Sequence, residues 1–180
     1  DDLLFVTTKL LSQEEIRSRW QNRFGYILID EYQDTNHAQY LMAKYIAGKR
    51  QNICAVGDAD QSIYSWRGAD LRNIMDFQKD YPKAKIIKLE QNYRSTRTIL
   101  DAANAVIKNN IDRPAKNLWT ENNTGEAIQK YVSEDEHGEA DFIVETMMKE
   151  HRENDVPYGS MAVLYRMNAQ SRVIEESMVK

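Results

Sequence analysis

With 180 residues, 42% of them hydrophobic and 29% charged, the chain can bury one large or two small cores, which argues against a disordered polypeptide. Its formal charge of −4 argues against a surface that grips duplex phosphates by bulk charge, so any nucleic-acid contact must be local. The single cysteine, Cys54, excludes an internal disulfide, and no apolar run approaches the roughly 20 residues that span a bilayer.

The start, Asp1-Asp2-Leu3-Leu4, resembles neither a signal peptide nor an initiator methionine, so the chain is expected to be a piece of something longer. Ser12 followed by Glu15 reads as a capping box that opens a helix carrying Ile16 and Trp20 toward Phe24. Tyr26 to Ile29 is an apolar run that ends abruptly in Asp30 and Glu31, the pattern of a buried strand with an acidic pair at its end. A helix is expected from His37 to Ala47, stopped by Gly48. Ile53 to Val56 is a second buried strand, with Cys54 as a small core side chain.

Ala69 to Asp80 reads as a short helix ended before Pro82, and Lys85 to Leu89 as a third strand. Ser95 can cap a helix with Ile99, Leu100, Ala103, Val106 and Ile107 on one face. Pro114 to Gly125 is a polar loop. Ala127 to Val132 looks like a strand, Ser133 with Glu136 a second capping box, Phe142 to Met148 a continuing helix, and Met161 to Tyr165 a last strand. This alternation predicts an α/β fold of mostly parallel sheets covered by helices. The boundary between two parts is placed near Pro82 to Glu90, giving residues 1–86 and 87–180.

Three clusters carry chemistry. In Asp30-Glu31-Tyr32-Gln33-Asp34, an Asp at a strand end can hold magnesium while the next Glu polarises a water; equally, the carboxylates can serve only to favour the next helix start. The run Gly57-Asp58 to Gly68-Ala69 holds Gln61, able to read a terminal phosphate, and Tyr64, Trp66 and Arg67, able to offer flat faces to unstacked bases. The plainer alternative makes these aromatics core residues. In Gln91-Asn92-Tyr93-Arg94-Ser95, Tyr93 can stack on a nucleobase and Arg94 can neutralise a phosphoryl group, or Arg94 can pair with a surface carboxylate. His37, His137 and His151 lack partners at zinc-ligand spacing, and Glu134-Asp135-Glu136 reads as a solvated helix start.

In order and spacing the three clusters resemble motifs II, III and IV of the superfamily 1 DNA helicases of the PcrA/UvrD/Rep type, and Leu164 to Arg172 resembles a following segment of that family's second motor domain. The resemblance implies parts of two RecA-like (P-loop NTPase) motor domains with ATP between them and single-stranded DNA across their top. It implies that Asp30 holds Mg2+ next to Glu31, that Glu31 activates water, and that Gln61 senses the γ-phosphate. Tyr93 would stack on adenine, Arg94 would be the arginine finger, and Arg67 would link the nucleotide and DNA sites. Tyr64 and Trp66 would form a base pocket, with Arg166 and Asn168 as further DNA contacts. A cytoplasmic, ATP-driven translocase is implied, moving 3′ to 5′ and unwinding at duplex junctions in DNA repair or plasmid replication.

No Gly-x-x-x-x-Gly-Lys-Ser/Thr loop occurs, and Gly48-Lys49 reads only as a helix stop. The expectation is therefore an internal fragment, inactive by itself, whose partners are DNA and the remaining parts of the same helicase as separate chains. The motor part of a helicase-nuclease and a catalytically silent DNA-binding module are the alternatives.

Overall fold

The computed structural model describes residues 2–110 and 116–179; Pro114 and Ala115, the start of the expected polar loop, lie outside them. The chain divides into two compact units, Asp1–Glu126 and Ala127–Lys180.

The first unit begins with helices α1 (Asp2–Leu11) and α2 (Glu14–Arg23). The Ser12 box does not form: its hydroxyl donates back to the Lys9 carbonyl at 2.7 Å, closing α1, and Gln13 precedes α2 without a side-chain cap. Strands β1 (Ile27–Ile29) and β2 (Ile53–Ala55) pair in parallel, in the register Ile27 with Ile53, Leu28 with Cys54 and Ile29 with Ala55. Cys54 is half-buried in that ladder.

Helix α3 (His37–Ala47) crosses between the strands, as parallel pairing requires. It begins on a capping box, with Asn36 Oδ1 accepting from the Gln39 amide at 3.0 Å and Gln39 Oε1 accepting from the Asn36 amide at 2.9 Å. Its end is Gly48, at φ 50°, where a side chain would be strained.

The expected single helix over 69–80 is two short ones, α4 (Arg72–Met75) and α5 (Phe77–Asp80), broken at Asp76. Both lie under the carboxylate loop. The Tyr32 ring is buried edge-on to Phe77 at 5.6 Å, and Phe77 leans on Tyr81 at 4.7 Å. Asp80 accepts from Tyr40 (2.8 Å) and Lys44 (2.5 Å), fastening α5 to α3.

Helix α6 (Arg97–Ile107) buries Leu100, but Thr96 rather than Ser95 precedes it and neither caps it through a side chain. Its first amides instead donate to the carbonyls of Asn123 (3.1 Å) and Thr124 (3.0 Å). In the second unit α7 (Glu136–Asn154) packs against α8 (Ala169–Val179). The cap of α7 is Asp135, which accepts from the Gly138 amide at 2.8 Å, not the expected Ser133 and Glu136 pair.

The expected strands at 85–89, 127–132 and 161–165 carry no ladder. A strand needs a neighbour to take its alternate amides and carbonyls, and among the described residues none is aligned with these runs. Leu89 and Leu164 are accordingly 80% and 94% exposed. The described residues thus form an α/β arrangement with a two-stranded parallel sheet.

Candidate functional site

The end of β1 and the end of β2 are stitched together where the acidic run begins. The Val56 amide donates to Ile29 O at 2.8 Å and the Tyr32 amide to Val56 O at 3.0 Å. Glu31 stands between them in the left-handed region (φ 49°, ψ 42°), a conformation that an ordinary side chain adopts only at a cost. The result is a sharp turn with Asp30 and Glu31 both exposed, Asp30 Oδ1 accepting from the Glu31 amide at 2.9 Å.

Behind this pair lies Gln33, 1% exposed. Its Nε2 donates to Glu31 Oε2 at 2.7 Å and its Oε1 accepts from the Asp58 amide at 3.0 Å. One buried amide therefore joins the carboxylate turn to the loop after β2. Gly57 makes the approach possible, since a Cβ there would stand 2.6 Å from Gln33 Oε1 and 3.1 Å from the Tyr32 amide. Sequence reasoning missed Gln33. Its signal was an amide, both donor and acceptor, set among three acids in a run that must fold back on itself.

Asp58 passes the linkage on. It accepts from the Asp60 amide at 2.9 Å, and its Oδ2 accepts from Gln61 Nε2 at 2.8 Å. Lys116 forms an ion pair with Asp58 and lies 3.3 Å from Asp60 Oδ2. Burial works to raise the Asp58 carboxyl, but hydrogen bonds from Lys116, Gln61 and the Asp60 amide outweigh it and hold the group below the usual carboxylate range.

Three residues on, the same loop presents a flat cationic face. The Arg67 guanidinium lies 4.8 Å from the Tyr64 ring and 4.4 Å from the Trp66 ring, with those rings 6.3 Å apart. Trp66 is 71% exposed, so it is not a core aromatic. The loop returns to the carboxylate turn through Asp70, whose amide donates to Thr35 O at 3.0 Å, and through Asn73, which donates to the same oxygen at 2.9 Å.

Tyr93 and Arg94 sit on a turn made by Asn92, whose Oδ1 accepts from the amides of Arg94 (2.9 Å) and Ser95 (2.7 Å). Asn122 clasps the turn from outside through the carbonyls of Tyr93 and Ser95. Tyr93 is 78% exposed and donates to Gln91 Oε1 at 2.8 Å; the Arg94 guanidinium is exposed and makes no ion pair among the described residues.

The structure thus joins Asp30, Glu31, Gln61, Tyr64, Trp66 and Arg67 through one hydrogen-bonded corner, and carries Tyr93 and Arg94 in the same compact unit. Arg166 and Asn168 belong to the second unit, at the start of α8. There the amides of Arg166 and Met167 donate to Gln170 Oε1 at 3.1 and 2.8 Å. Among the described residues no three His, Cys, Asp or Glu side chains gather to hold a metal unaided, and no helix is long and apolar enough to cross a membrane. Adjacent hard carboxylates at an exposed strand end do suit magnesium, which takes one or two protein carboxylates and keeps waters and phosphate oxygens for the rest.

Residues 1–82 match the family model described as the UvrD/REP helicase N-terminal domain, and residues 87–180 match the UvrD-like helicase C-terminal domain. The ATP-dependent DNA helicase PcrA of Staphylococcus aureus is 55% identical over 100% of this chain, and that of Staphylococcus epidermidis is 54% identical over the same span. The chain covers 25% of the length of each of these relatives. It belongs to the UvrD/REP helicase family, and its sequence corresponds to a PcrA-like stretch of such a protein.

Proposed function

We propose that this chain carries the water-activating, phosphate-sensing and base-stacking parts of an ATP-dependent DNA helicase, spread over parts of two RecA-like motor domains, residues 1–86 and 87–180. The observation that carries the proposal is buried Gln33, which fastens the Asp30 and Glu31 turn to the loop holding Gln61 and Trp66. Without such a link, nucleotide state and base grip would have no shared rigid part.

In this reading Asp30 holds magnesium beside Glu31, and the ion when bound neutralises charge on the phosphates. Glu31 orients and deprotonates the attacking water. Gln61 hydrogen-bonds the γ-phosphate, and Arg94 supplies positive charge to the same group, an effect worth about 10³–10⁵ in rate. Tyr93 stacks on the adenine. Tyr64 and Trp66, with Arg67 between their faces, hold a base of single-stranded DNA, and Arg166 and Asn168 add contacts from the second part. Because Gln61 and Trp66 share one short loop, closure on ATP shifts the base grip and hydrolysis releases it. The proposal extends to movement 3′ to 5′, unwinding in repair or plasmid replication, and a cytoplasmic setting, supported by the resemblance to these helicases.

The test is made in the full-length helicase containing this chain. Glu31→Gln should lower ATP turnover by about 10²–10⁴ while ATP and DNA still bind. Trp66→Ala should weaken single-stranded DNA binding by about 1–3 kcal/mol and blunt DNA stimulation of the ATPase. Unchanged DNA binding and unchanged stimulation in Trp66→Ala would refute the proposal.

A further inference from the structure

We propose that Lys116 is a positioning residue for Gln61, acting through Asp58 as a clasp between the stretches matched to the N-terminal and C-terminal family domains. The inference rests on the role assigned to Gln61 above and adds to it a residue outside every motif.

The geometry is a relay. Asp58 spends one carboxylate oxygen on Lys116 and the other on Gln61 Nε2, at 2.8 Å, while Asp60 Oδ2 stands 3.3 Å from the same ammonium. Lys116, Asp58 and Asp60 are all largely buried. They line a cavity of about 210 Å³ together with Gln61 and, from α6, Asn104 and Ile107. A carboxylate held at both oxygens has one orientation, so the amide it accepts from has one orientation too.

Removing the ammonium has two consequences for Gln61. Asp58 keeps the Asp60 amide at Oδ1 but loses the charged partner on that oxygen, so its posture holds the Gln61 amide less firmly. The Asp58 carboxylate also loses its cationic partner beside the residue that must approach an anionic phosphate, where uncompensated negative charge is unfavourable. Both consequences fall on the step that Gln61 serves rather than on the nucleotide's base and sugar.

Within the first compact unit the clasp also joins the two stretches matched to different family domains. Asp58, Asp60 and Gln61 lie among the residues matched to the N-terminal family domain, and Lys116 among those matched to the C-terminal one. Gln61 therefore answers to the part of the chain that carries Tyr93 and Arg94.

The experiment is a double-mutant cycle on DNA-stimulated ATPase in the full-length helicase. Lys116→Met should lower kcat about tenfold with KM for ATP unchanged, and Lys116→Arg should restore much of the loss. In a Gln61→Ala background Lys116→Met should cost nothing more. Lys116→Gln serves the same cycle if the Met variant does not fold. Additive losses, a loss confined to KM, or no rescue by Arg would overturn the inference alone. A Gln61→Ala variant with intact ATPase would overturn the reading of Gln61 and the inference with it.

Discussion

The corner where β1 and β2 end and the apolar runs without a ladder at 85–89 and 161–165 have similar sequences and opposite fates. All are short apolar stretches rich in Ile, Leu, Val or Tyr. Ile27–Ile29 and Ile53–Ala55 meet in parallel register, and their ends are tied by two backbone bonds and one buried amide. The other runs form no regular structure and leave Ile86, Ile87, Leu89 and Leu164 in solvent. Apolar patterning names a residue's tendency to become strand, but a strand is a property of two segments. The functional corner is well formed because both of its segments, and the helix that crosses between them, lie within one stretch of about 30 residues.

If that corner depends on its buried amide as the comparison requires, breaking the amide should have the largest effect on stability. Gln33→Ala leaves the Asp58 amide without its acceptor and opens a cavity between the carboxylate turn and the loop after β2. A loss of about 3 kcal/mol is expected for the first unit, at the upper end of the cost of a buried unsatisfied group. Denaturant titration followed at Trp66, together with amide exchange at Asp58, would measure it. A loss below about 0.5 kcal/mol would mean that strand pairing alone holds the corner and that Gln33 merely fills space.

Much of this corner was legible beforehand. The span His37 to Ala47 and its stop at Gly48 follow from local periodicity and from glycine's freedom at positive φ. Asp30, Glu31, Gln61 and Trp66 stand out in the sequence because carboxylates, amides and large aromatics are unusual where strands end, while the exposure of Trp66 is visible only in the structure. Gln33 and Lys116 were not found, because their value lies in partners 25 and 58 residues away. Caps were read least well, for a related reason. Ser12, Ser95 and Ser133 each stand near a helix start, yet the amides there are met by Asp135 in one case and by distant carbonyls in another. A cap depends on which side chain the chain's entry angle turns inward, and that angle is set by packing.

The second unit allows that point to be tested at intermediate size. Asp135→Ala should cost about 1 kcal/mol, the usual value of an N-cap, and should fray the first turn of α7. Ser133→Ala should cost much less. Helical circular dichroism during denaturation would separate the two, and equal losses would restore the capping box in place of the single Asp135 cap.

The smallest expected effect bears most directly on why the two regions differ. Leu164 is 94% exposed, so Leu164→Ser in this chain should change stability by no more than about 0.5 kcal/mol. The full-length helicase is the informative contrast, since the curated relatives are about four times as long and offer further segments to pair with. If Met161 to Tyr165 becomes a strand there, the same substitution removes a buried leucine from a sheet and should cost about 2–5 kcal/mol. A large difference between the two contexts would establish that the run is strand sequence waiting for a neighbour. Equal, small effects would mean that its apolar residues face solvent in both, and that patterning alone was misread.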